Sequence, residues 1–86
     1  MATLDGMQTL EVTFGKAVRA RREKLRLSQE DFADKAGIHR TYVSSIELGK
    51  VQVSIGIAFK LAQALEIPLS RLWKDVEQLR DSSDDA

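Results

Sequence analysis

Between Gly37 and Gly49 the chain reads IHRTYVSSIEL, and this stretch concentrates side chains that donate hydrogen bonds. Val43 and Ile46 are spaced to face inward on a short helix, with Ile38 beside them. That leaves His39, Arg40, Thr41, Ser44 and Ser45 to point outward. A helix built only to pack would place salt-bridging charges on that outer face. A guanidinium near a helix start can donate two hydrogen bonds to guanine O6 and N7, and such a pair discriminates against the wrong base by ~1–3 kcal/mol. A threonine offers a base edge its hydroxyl or its methyl, and serine hydroxyls suit bases or phosphates. The chemistry that fits is recognition of double-stranded DNA.

Other chemistry finds little material. His39 is the only histidine and there is no cysteine, so neither a metal site nor a thiolate is expected. No serine has a candidate base, and no Gly-rich phosphate loop occurs, so no catalytic residue, cofactor or small-molecule ligand is expected. His39 reads as a surface residue at the helix start.

Positioning falls to five predicted helices, over about 11–26, 29–36, 40–48, 55–65 and 71–80, in an all-α fold. Phe14, Ala17, Val18 and Leu25 make the stripe of the first helix. Ser28 reads as a cap with Asp31 three residues on, and Ser54 and Ser70 read as caps of the last two helices. Gly37 ends the second helix, where a left-handed backbone is expected. Small Ala33 allows the second and third helices to cross closely. This is a helix-turn-helix, whose second helix lies in the major groove.

Length and charge bound the rest. The chain has 86 residues, enough for one modest core. Thirteen Lys and Arg balance thirteen Asp and Glu, which argues against a general polyanion binder. The distribution is uneven: residues 16–26 carry six basic residues and one Glu, and residues 75–86 carry five acidic residues and one Arg. The basic run reads either as phosphate-facing or as a solvated face. Residues 1–10 read as an N-terminal arm, an extra turn or an unordered segment, 11–80 as the DNA-binding domain and 81–86 as a disordered acidic tail. With no long apolar run and no leader pattern, the expected location is the cytoplasm, without a membrane partner.

The run SQEDFADKAGIHRTYVSSIELGK, residues 28–50, resembles the phage-repressor-like helix-turn-helix of the XRE family. Phe14-Gly15, Arg19 and Arg22 extend the likeness into the first helix, and Ser54, Leu61-Ala62 and Leu65 into the fourth. RTYVS at 40–44 followed by Ile46-Glu47 is similar to the recognition helix of restriction–modification controller proteins. The resemblance implies base contacts from Arg40, Thr41 and Ser45. It implies backbone contacts from Gln29, Tyr42, Ser44, Lys50 and Ser54, although Tyr42 could instead pack against the second helix. It also implies a structural salt bridge between Arg22 and Glu47. Val53 departs from the family pattern, where many relatives have Pro, and Ala58 stands where a large apolar residue is usual.

The fourth helix is apolar on more than one face, which a small domain cannot bury alone. Ile57, Phe59, Trp73 and Val76 are therefore assigned to a homodimer interface. The expected function is a sequence-specific regulator binding a palindromic operator as a homodimer, either a restriction–modification controller or a phage-type repressor. Two rivals use the same fold: the antitoxin of a toxin–antitoxin pair, and a helical interaction module without DNA binding.

Overall fold

The computed structural model describes residues 9–84. Five helices follow in order: α1 (Leu10–Lys24), α2 (Gln29–Ala36), α3 (Arg40–Glu47), α4 (Ile55–Ala64) and α5 (Leu69–Asp84). No strand occurs among the described residues. Helix α1 packs on α3 and α5, α2 on α3 and α4, and α4 on α5. No described helix is long and apolar enough to cross a membrane.

Each helix starts where a local group satisfies its free N–H donors. Thr9 Oγ1 accepts from Val12 N at 3.1 Å, Ser28 Oγ from Asp31 N at 3.0 Å, and Ser54 Oγ from Ile57 N at 3.1 Å. Ser70 does not cap α5. That helix begins at Leu69, and the Pro68 carbonyl accepts from Arg71 N and Leu72 N. Proline suits a helix start because its φ is already helical and no N–H is needed there.

The other ends also correct the expected bounds. Helix α1 stops at Lys24 because Arg26 adopts φ 61°, which breaks the helical path. Glu66, at φ 64°, ends α4 in the same way. Helix α5 runs on to Asp84, so residues 81–84 of the expected disordered tail are helical. Nothing in 69–84 is Gly or Pro, and lack of apolar residues removes burial without removing helicity. Residues 1–8 of the expected arm and 85–86 of the tail lie outside the described residues.

The core joins all five helices. Val18, Phe32, Val43, Leu61, Leu72 and Val76 are fully buried. Each such side chain contributes roughly 1.5–3 kcal/mol relative to exposure. Val76 therefore belongs to the protomer's own core and cannot reach a partner, which removes it from the expected dimer interface.

Two glycines set the geometry around α3. Gly37 has φ 72° and ends α2, with Ile38 N donating to the Ala33 carbonyl at 3.0 Å. Gly15 of α1 lies against the end of α3: a Cβ there would stand 2.6 Å from the Glu47 carbonyl oxygen. The helices can approach this closely only without a side chain at 15.

Candidate nucleic-acid interface

The site is built on α3, and α3 is held from behind. Val43, Ile46 and Glu47 form its buried face. Arg40 and Thr41 stand exposed in its first turn, and Ser44 and Ser45 follow one turn later, half-buried. At a spacing of four residues, Arg40 lies over Ser44 and Thr41 over Ser45, so the four share one strip of surface. Tyr42 is half-buried with its ring packed against the core. Lys50 and Ser54 are exposed on the segment between α3 and α4.

Behind this strip sits a buried ionic cluster. Arg22 Nε donates to Glu47 Oε2 at 2.7 Å, and Arg22 Nη2 to Glu47 Oε1 at 3.1 Å. Arg22 Nη1 reaches the Leu27 carbonyl at 2.7 Å. The hydrogen bonds from Arg22 to the Glu47 carboxylate raise the guanidinium pKa above its ordinary value, against the opposing effect of burial. Gln29 Nε2 completes the cluster, donating to Glu47 Oε1 at 3.0 Å. One carboxylate thus ties α1, α2 and α3 together.

The placement of Gln29 changes its expected part. Its amide nitrogen serves the buried carboxylate, which the sequence pattern did not reveal. At the start of α2 the Asp31 N–H is taken by Ser28 Oγ, which leaves the backbone N–H groups of Gln29 and Glu30 without helical acceptors.

Sequence reasoning also missed what begins α3. His39 is its cap: Nδ1 accepts from Thr41 N at 3.1 Å, and Thr41 Oγ1 lies 2.8 Å from the same nitrogen. Histidine is not among the usual cap residues, so composition gave no signal.

Half of the basic run of α1 faces carboxylates. Besides Arg22, Arg21 Nε donates to Asp75 Oδ2 of α5 at 2.6 Å, which raises the Arg21 pKa. Arg19 Nε donates to Glu23 Oε2 at 3.0 Å within α1. Three of the six cations therefore face carboxylates.

An open apolar cleft of about 390 Å³ is lined by Leu10, Phe14, Val53, Ile55, Ala58 and Trp73, among others. Ile55 is 83% exposed, Phe59 51% and Trp73 42%, whereas Ile57 is half-buried against the core. Ile55 and Phe59 are four residues apart on α4 and share a face. Leu10 and Ile55 join Phe59 and Trp73 in the exposed apolar surface, and Val76 leaves it.

Comparison with known proteins agrees with this architecture. The Helix-turn-helix family model matches residues 18–72, more than half of the chain. The chain belongs to the helix-turn-helix family. Among its relatives, control protein C.MunI from a Mycoplasma species is 44% identical over 73 residues, covering 84% of this chain and 99% of that protein. Control protein C.BamHI from Bacillus amyloliquefaciens is 39% identical over 59 residues, covering 67% of this chain and 73% of its own. The crystal structure of the restriction-modification controller protein C.AhdI from Aeromonas hydrophila aligns with a TM-score of 0.69 at 41% identity, over 71% of this chain and 92% of that one. This helix-turn-helix protein is a DNA-binding transcription regulator, and its family is one of regulators rather than enzymes.

Proposed function

We propose that the protein controls a restriction–modification operon, binding a two-fold symmetric operator as a homodimer. The observation that carries the reading is α3. Its buried face fixes it to the domain, and Arg40 and Thr41 stand exposed in its first turn with Ser45 one turn on. In this reading α3 enters the major groove, Arg40 takes guanine O6 and N7, and Thr41 and Ser45 face neighbouring base edges. The N–H groups at the start of α2, near Gln29, hold a phosphate. Tyr42, Ser44, Lys50 and Ser54 fix the register along the backbone.

Two protomers meet through the exposed apolar surface of α4 and α5, with Ile55, Phe59 and Trp73 at its centre and Ile57 at its edge. The half-sites then lie ~34–36 Å apart. The 44% identity to C.MunI along nearly all of that protein supports the assignment to restriction–modification control.

The test is selection of tight binders from a random duplex pool at two salt concentrations. A recovered palindrome with salt-sensitive affinity is the expected result. No enriched sequence at either concentration would overturn the reading and leave a protein partner as the alternative.

A further inference from the structure

The cap of α3 constrains how Thr41 can read a base. Two groups of Thr41 lie against one nitrogen of His39: the backbone N–H at 3.1 Å and the hydroxyl oxygen at 2.8 Å. A backbone N–H can only donate, so this geometry fits the tautomer with the ring proton on Nε2 and Nδ1 as the acceptor. In that tautomer a bare ring nitrogen cannot donate to the hydroxyl, and the hydroxyl donates to it, sharing the one lone pair with the backbone N–H. Its single hydrogen is thereby turned back toward the cap. What the exposed Thr41 hydroxyl has left is lone pairs.

We propose that His39 fixes the hydrogen-bond polarity of Thr41, so that this hydroxyl meets DNA only as an acceptor and selects adenine or cytosine at its position. In the major groove adenine N6 and cytosine N4 present donors, whereas thymine O4 and guanine O6 present acceptors. An acceptor-only threonine pairs with the first two and opposes the last two. His39 is a positioning residue here, acting through Thr41. The inference rests on the proposed placement of α3 in the groove.

The test repeats the duplex selection with the wild type, Thr41→Val, His39→Asn and His39→Ala. The position at which Thr41→Val changes the recovered sequence marks where Thr41 reads. Every pair at that position carries one amino-bearing base, so the group Thr41 reads is fixed by deleting the exocyclic amino group of the recovered adenine or cytosine with a base analogue. Wild-type affinity should fall by ~2–10-fold on that deletion and on inversion of the pair, the range for one neutral hydrogen bond. The ratio of recovered to inverted pair is then compared among the variants. His39→Asn supplies another cap acceptor and should keep the preference. His39→Ala frees the hydroxyl to donate or accept, and the ratio should fall to about one. A cap with no further role would weaken all duplexes alike and leave the ratio unchanged, which overturns the inference. So would wild-type affinity that is unchanged when the exocyclic amino group of the recovered pair is deleted, because Thr41 would then be reading an acceptor. If Thr41→Val leaves every position unchanged while a palindrome is still recovered, Thr41 touches no base, and the placement beneath the inference fails instead.

Discussion

Substituting Arg22 with Met would remove the guanidinium that faces Glu47 while keeping a side chain of similar length. The Glu47 side chain is only 3% exposed, and of its three hydrogen bonds two come from Arg22. Arg22→Met leaves that carboxylate buried with the Gln29 amide alone, and strips the Leu27 carbonyl of its partner. Removing one side of a buried pair costs about 3–5 kcal/mol. An 86-residue domain has about 4–13 kcal/mol in total at ordinary stability per residue. The single substitution should therefore remove a large share of it. Urea unfolding followed by circular dichroism should show the midpoint falling by about 2 M or more, given a slope near 1–1.5 kcal/mol per M for so small a chain. The double variant Arg22→Met with Glu47→Leu removes both charges. Apolar replacement of a buried pair is often close to neutral, so the double variant should recover most of the loss. A cost below about 1 kcal/mol for Arg22→Met would place the pair with solvent-screened surface bridges. A double variant no more stable than the single one would show that the loss came from packing and not from an orphaned charge. Either result refutes the reasoning.

Three further outcomes are expected. Arg40→Ala should lower affinity for the selected duplex by about 1–3 kcal/mol and relax one base position, with the unfolding curve unchanged; fluorescence anisotropy on matched and scrambled duplexes measures it. Gly15→Ala places a Cβ 2.6 Å from the Glu47 carbonyl oxygen. Overpacking of about 1–3 kcal/mol should outweigh the ~1 kcal/mol that alanine gains in a helix, and the thermal midpoint should drop. Val76→Ala and Phe59→Ala separate core from interface. The first should cost about 1–3 kcal/mol of protomer stability through a cavity. The second should change protomer stability by less than about 0.5 kcal/mol and raise the dimer dissociation constant in sedimentation.

The elements were legible where punctuation and period agreed. Ser28 and Gly37 bracket α2 as read, because a hydroxyl cap and a left-handed glycine each answer a local backbone need. Phe32, Val43 and Ile46 are buried as their spacing required. The misreadings share a cause: they needed knowledge of the neighbouring element. Val76 looked available for a partner because period places it on an apolar face, but only the packing of α5 on α1 and α4 shows that face is filled from within. The end of α5 is a separate case: polar residues 81–84 predict disorder, yet they continue the helix. The amide of Gln29 stands near a helix start, so its type suggested a phosphate, while its hydrogen bond to a residue eighteen positions away has no local signature. His39 as a cap, and its hold on Thr41, likewise depends on a ring orientation that residue type does not specify.

The uneven charge of the chain resolves once its partners are known. A run with six basic residues in a protein of zero net charge looks like a strip for phosphate. Yet Arg19, Arg21 and Arg22 are matched to Glu23, Asp75 and Glu47, and two of those carboxylates lie on other helices. Those two arginines fasten α1 to α3 and α5. Lys16, Lys24 and Arg26 of the run, with Arg40 on α3 and Lys50 just after it, face no carboxylate among the described residues and remain to meet phosphates. Non-specific affinity grows with the number of phosphates neutralised. For the proposed regulator this has a direct consequence. Occupancy of one operator competes with a very large number of non-specific sites, so the quantity that decides it is the ratio of specific to non-specific affinity. Matching Arg19, Arg21 and Arg22 to carboxylates lowers the non-specific term without abolishing it. Discrimination falls on the short-range contacts of α3, while phosphate contacts hold the register. That makes the rigidity of α3 part of the recognition. Glu47 fixes its C-terminal end, Gly15 lets α1 brace it closely, and His39 closes its N-terminal end.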